Sequence, residues 1–180
     1  MRALLASGNP SKLREFRAAL PDWQLEPLGA DGYPPEDGAT YVENARGKAR
    51  HGRSVAPGDW ILADDSGIEV AALGGAPGIA TARWAADGVT HLLEVLDGVD
   101  DRRARYVCEL VALSPEGREH RGTGILEGTI AAARSGAGGF GYDPIFVPAG
   151  ETRTVAELGD GWKAVNSHRA LAAGALLAAI

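Results

Sequence analysis

The residues best equipped for chemistry are Asp64, Asp65 and Ser66, which end the apolar run Trp60-Ile61-Leu62-Ala63 and are followed by Gly67. Such a run reads as a buried strand whose carboxyl end delivers acids to a cleft, the edge where ligands bind in open α/β sheets. Adjacent strand residues point to opposite faces, so the two carboxylates are expected to divide their work. Asp65 is assigned to a metal and a water, Asp64 to structural support. Taken alone, the stretch fits a strand-end turn with solvated acids better.

Those acids need a partner that binds anions. Ala3 to Ala6 reads as a short buried strand, and Ser7-Gly8-Asn9-Pro10-Ser11-Lys12 leads from it into a helix with Leu13, Phe16 and Leu20 on one face. Asn9 suits the N-cap and Pro10 the first helical position. A strand, a glycine turn and a helix N-terminus make a phosphate-binding geometry, because free backbone N–H groups and the helix dipole favour an anion. Lys12 adds a point charge. The GxxxxGK[ST] pattern of a P-loop is absent.

The following elements fit an α/β chain. Trp23 to Leu28 reads as a strand, and residues 29–38 as a polar loop carrying Asp31, Glu36 and Asp37. Thr40 and Glu43 have capping-box spacing and start a helix that runs to about Arg50. Lys48 on that helix could reach a phosphate, although a solvated surface lysine is the commoner outcome. Ile68 to Leu73 is expected to stay extended before Gly74-Gly75-Ala76-Pro77-Gly78 reverses the chain. Arg83 could clamp an anion or a carboxylate. Thr90 to Leu96 reads as a short helix, and Arg105–Leu113 with Arg118–Ile125 as a hairpin that Gly128 to Ile130 extends. Strands alternating with helices, then a hairpin, imply a mixed rather than an all-parallel sheet.

Two later stretches could read a base. Gly138-Gly139-Phe140-Gly141-Tyr142-Asp143-Pro144 sets glycines around two aromatics, so backbone and ring faces can approach a flat ligand. A loop plugged into the core by its aromatics is the alternative. Farther on, Lys163 precedes Asn166-Ser167-His168-Arg169, where Ser167 or Asn166 caps an apolar helix running through Leu177. Cations on a first helical turn oppose the dipole, so Arg169, and with it His168, suggests a carbonyl or anionic partner, a surface accident being the alternative.

Composition narrows the classes. At 180 residues the chain reads as one domain, and its net charge of −6 argues against non-specific binding to nucleic acid or an anionic membrane. The one cysteine, Cys108, excludes an internal disulfide, and the four scattered histidines make a zinc site a poor expectation. No stretch approaches transmembrane length, so the cytoplasm is the expected compartment.

Each stretch is modest alone, but their order is specific. Ser7-Gly8-Asn9-x-x-Lys12-x-x-Glu15, Tyr41-Val42-Glu43-Asn44-Ala45, Ala63-Asp64-Asp65-Ser66-Gly67, Gly75-Ala76-Pro77-Gly78, Gly139-Phe140-Gly141-Tyr142-Asp143-Pro144 and Ser167-His168-Arg169 succeed one another along the chain. Together they resemble the inosine/xanthosine triphosphate pyrophosphatase family. The resemblance implies an elongated mixed α/β sheet with flanking helices, two lobes around a cleft, and a homodimer. It further implies Mg²⁺-dependent hydrolysis of dITP, ITP and XTP to the monophosphate and pyrophosphate. Carried over by motif, Ser7, Gly8, Asn9, Pro10, Ser11 and Lys12 hold phosphates, and Asp65 is metal ligand or general base with Ser66 beside it on the substrate. Glu36 matches the family's second metal ligand. Phe140, Gly141, Tyr142 and Asp143 form the base platform, Lys163 contacts substrate, and His168 and Arg169 read the purine. The chain departs from the family's pattern in having Asp160-Gly161-Trp162 before Lys163, where acidic residues are usual.

Overall fold

The computed structural model describes every residue from Met1 to Ile180. Its frame is three long strands, β3 (Trp60–Val70), β4 (Arg103–Leu113) and β5 (Glu119–Ile130), paired antiparallel in sequence order. Shorter strands flank them: β1 (Arg2–Leu5), β2 (Gln24–Pro27) and β6 (Phe146–Pro148). The six-stranded order is β2-β1-β3-β4-β5-β6, with β1 parallel to both β2 and β3. Parallel neighbours need crossovers, which α1 (Pro10–Ala19) and α2 (Tyr41–Val55) supply.

The alternation of side chains along β3 sorts the near half of the sheet into two cores. Leu62 packs with Leu5, Phe16, Cys108 and Leu176, under α1 and α5 (His168–Leu177). Ile61 and Ala63 point the other way, into Ala45 and Ala49 of α2. Beyond Gly67 a third core gathers Ile68, Val70, Tyr106 and Phe146 with Leu92 of α3 (Gly88–Val95) and Val155 of α4 (Val155–Asn166). The result is the expected mixed α/β architecture, with two lobes sharing one long ribbon and Asp64 to Gly67 at their junction.

Close approach explains two glycines. Gly122 and Gly124 lie on one face of β5, and a Cβ on either would overlap the backbone of α5 at Ala172 and, for Gly124, at the His168 carbonyl. Their bareness lets α5 lie against the strand.

Several boundaries differ from expectation. β3 ends at Val70, and Ala71–Leu73 forms a 3-10 turn instead of remaining extended, with Gly74 closing it at φ 62°. α2 continues to Val55 because Ala49 and Gly52 are still buried on its inner face. β5 is one uninterrupted strand. α4 and β6 were not anticipated; α4 is broken at Gly159, whose φ of 80° leaves the helical region.

Candidate active site

The neighbouring acids of β3 do face opposite ways, into different surroundings. Asp64 is fully buried on the α1 and α5 side, where its Oδ2 lies 2.9 Å from Lys12 Nζ and 3.7 Å from Arg169 Nε. Burial alone would raise its pKa, but Lys12, Arg169 and Lys48 outweigh it and hold the carboxyl at about 2. Asp65 faces α2. Its Oδ2 accepts from Asn44 Nδ2 at 2.9 Å, and its Oδ1 is 3.8 Å from Lys48 Nζ. For Asp65 burial prevails, and its pKa stands above the ordinary aspartate value despite Lys48 and Asn44.

Lys48 binds the same face together. Its ammonium is 2.5 Å from Glu36 Oε1, so one cation sits between the Glu36 and Asp65 carboxylates. Burial works against that charge, yet the surrounding Asp64, Glu36 and Asp65 keep its pKa above the usual lysine value. Two carboxylates sharing a cation suit Mg²⁺, which takes one or two protein carboxylates and completes its shell with water and phosphate oxygens. No third His, Cys, Asp or Glu joins them in a metal-holding group.

On the Asp64 side the charges alternate over a longer path. Lys12 pairs with Asp64, Asp64 lies near Arg169, and Arg169 Nη1 donates to Glu15 Oε2 at 2.9 Å. Glu15 also pairs with Lys163, whose Nζ is 2.6 Å from Asp143 Oδ2. Arg169 Nη2 donates to Ser66 Oγ at 2.7 Å, and Ser66 donates to Asp64. The cation at the start of α5 thus has the anionic partner its position demanded. Ser167, rather than Asn166, caps the helix by accepting from Ala170 N–H.

Asp143 organises the aromatic loop. Its Oδ2 accepts from the Phe140 N–H at 2.9 Å and its Oδ1 from the Tyr106 hydroxyl at 3.3 Å. Phe140 lies under two cations, with Arg169 Cζ 5.0 Å and Lys163 Nζ 4.9 Å from its ring centroid. Tyr142 is the plug of the loop; it is buried in the far core.

A cavity of about 600 Å³ opens between the lobes, within the range of small-molecule sites. Of the residues marked from sequence, Ser7, Gly8, Asn9, Lys12, Glu36, Asp65 and Ser66 line it. Phe140, Gly141, Tyr142, Asp143, His168 and Arg169 line it as well. Pro10, Ser11 and Lys163 are not part of the wall; Pro10 and Ser11 begin α1, and Lys163 is buried between Glu15 and Asp143.

Other wall residues were missed or misjudged. Lys48 is 5% exposed rather than a solvated surface lysine. A signal existed, since Asn44 and Lys48 are four apart and so share one helix face. Tyr33, Asp87 and Arg134 also line the cavity, and Arg134 Nη2 donates to both Asp87 carboxylate oxygens at 2.8 Å. Glu43 is occupied by capping, accepting from the Ala39 and Thr40 N–H groups.

The sequence profile of the Ham1 family matches residues 3–179, nearly the whole chain. The chain belongs to the Ham1 family. It is 41% identical to the dITP/XTP pyrophosphatase of Bdellovibrio bacteriovorus, covering 98% of this chain and 96% of that protein. The dITP/XTP pyrophosphatase of Streptomyces coelicolor is 44% identical, with 98% and 95% covered. Among solved structures, the Staphylococcus aureus Ham1 protein superposes with a TM-score of 0.86 at 35% identity, covering 99% of this chain and 97% of that one. The mixed α/β fold is therefore that of Ham1 proteins.

Proposed function

We propose that this Ham1-family chain hydrolyses the α–β anhydride of non-canonical purine nucleoside triphosphates, dITP, ITP and XTP, to the monophosphate and pyrophosphate. The names of its full-length relatives support the substrate class. The observation that carries the chemistry is the contrast between Asp64 and Asp65. They face opposite sides of one strand: Asp64 is fully buried between Lys12 and Arg169, while Asp65 lines the cavity beside Lys48 and Glu36, an arrangement that divides structural charge from proton transfer.

In this reading Ser7 to Lys12 cradle the phosphates with backbone N–H groups and the α1 N-terminus. Glu36 and Asp65 would hold Mg²⁺, which when bound offsets charge on the phosphate oxygens. Asp65 orients a water and accepts its proton as the new P–O bond forms and the bridging oxygen leaves with pyrophosphate. Lys48 offsets charge between the two acids. The purine lies against Phe140, and its 6-oxygen accepts from Arg169 and His168. Adenine carries a 6-amino donor, which would leave those donors unpaired, so it is rejected. Guanine shares the 6-oxygen and must be excluded around its 2-position.

The family resemblance supports a homodimer acting on free nucleotides in the cytoplasm; no helix is long and apolar enough to cross a membrane. The deciding experiment is a nucleotide panel with and without Mg²⁺, scored for pyrophosphate. Pyrophosphate from dITP and XTP, with little from dATP, is expected. Release of orthophosphate alone, or equal rates on all purines, would overturn the reading.

A further inference from the structure

Asn44 is a buried amide, 4% exposed, and both ends of its side chain are engaged. Its Nδ2 donates to Asp65 Oδ2 at 2.9 Å, and its Oδ1 accepts from the Gly38 backbone N–H at 2.8 Å. Gly38 lies two residues beyond Glu36. A single side chain therefore ties the strand that carries one acid to the loop that carries the other. Glu43 pins the next two N–H groups of that loop, at Ala39 and Thr40, so the loop is fixed to α2 over three consecutive residues.

We propose that Asn44 is a positioning residue that sets the separation and orientation of the Glu36–Asp65 carboxylate pair. By occupying Oδ2 of Asp65 it leaves Oδ1 as the oxygen toward Lys48. By holding Gly38 it prevents the Glu36 loop from drifting off α2. An amide is suited to this position because it donates at one end and accepts at the other. Aspartate would set two carboxylates against each other, and leucine, of similar size, would leave the buried Asp65 oxygen and the partly buried Gly38 N–H without this partner. The spacing also explains Gly38: a Cβ there would lie 2.7 Å from Asn44 Oδ1 and 2.8 Å from Glu43 Cβ.

This inference rests on the carboxylate pair acting on a metal-bound nucleotide, so the test has one arm that needs no turnover. Asn44→Ala and Gly38→Ala would be made in the full chain; both leave every acid intact, and the second also leaves Asn44 in place. Calorimetric Mn²⁺ binding is measured without nucleotide, and dITP hydrolysis is followed with saturating Mg²⁺. Outer partners of metal ligands are typically worth about 10–100-fold, so kcat and Mn²⁺ affinity should each fall by about that factor. The KM for dITP should stay within about threefold, because the phosphate loop and base platform are untouched. Wild-type kcat and Mn²⁺ affinity in either folded variant, or a loss confined to KM, would overturn the proposal. If Asn44→Ala does not fold, Gly38→Ala decides. A wild-type protein that releases no pyrophosphate would sink the functional reading instead, while the Mn²⁺ arm would still judge Asn44.

Discussion

His168 lies flat on Tyr106, with ring centroids 4.5 Å apart and planes inclined by 11°. Burial, with Arg169, Lys163 and Lys12 near it, drives the His168 pKa well below 6.5. The ring is therefore neutral at pH 7 and offers one N–H donor to a carbonyl. In the unfolded chain the same histidine takes up a proton near pH 6.5, so below that pH the unfolded state binds more protons. Stability should fall as the pH drops from 6.5 toward the folded value. Urea unfolding between pH 5 and 7 should show this slope, and His168→Gln should flatten it; an identical slope in the variant would remove His168 as its source.

Asp64 and Asp65 should respond oppositely to substitution. Asp65→Asn keeps the Asn44 contact isosteric and should lower kcat by about 10²–10⁴-fold with little change in melting temperature. Asp64→Ala leaves Lys12 and Arg169 facing a buried gap, and breaking a buried pair costs about 3–5 kcal/mol. Guanidinium denaturation of both variants separates the outcomes. Equal destabilisation would mean the two acids share one role.

Removal of divalent metal should abolish turnover without loosening the fold. Lys48 already balances Glu36 and Asp65, so an EDTA-treated sample should melt close to the untreated one while releasing no pyrophosphate from dITP. A large drop in melting temperature on chelation would point to a structural metal.

Gly124→Ala should be severe for its size. The added methyl would overlap the His168 carbonyl and the Ala172 nitrogen, forcing α5 away from β5. Overpacking of this kind costs about 1–3 kcal/mol and sometimes more. Because α5 carries His168 and Arg169, the residual folded enzyme should also show a raised KM for dITP. Calorimetry and steady-state kinetics on one preparation would check both effects.

Arg169→Lys keeps the charge near Asp64 but loses the planar fork that reaches Glu15 and Ser66. The ratio of kcat/KM for dITP over dATP should narrow by about 10-fold or more, the scale set by losing a hydrogen bond between site and base. If both rates fell together with the ratio preserved, Arg169 would be a phosphate or structural residue.

The features legible in the sequence were those with local causes. Asn9 and Pro10 announce a helix start, Thr40 and Glu43 a capping box, and the alternation through Asp64 and Asp65 divides the acids between two faces; the structure has each of these. The spacing of Asn44 and Lys48 puts them on one helix face, but that this face is buried depends on β3 and on Glu36, twelve residues earlier in the chain than Lys48. The pairing of Lys163 with Glu15 was out of reach for the same reason, since α1 and α4 meet only in the folded state. α4 contains Gly159 and Gly161, which depress helix propensity, and its helix depends on packing of Val155 and Ala156. Its Thr154 and Glu157 nonetheless repeat the spacing of Thr40 and Glu43, a local cue that was available.

The one-residue step between Asp64 and Asp65 also couples the two faces of β3. Lys48 acts on Asp64 as well as on Asp65, and Lys12 acts on both carboxylates. The network that reaches Arg169 and Phe140 and the cluster around Lys48 therefore share one field across a single strand. A charge altered on either face is felt on the other, so the two must change in concert.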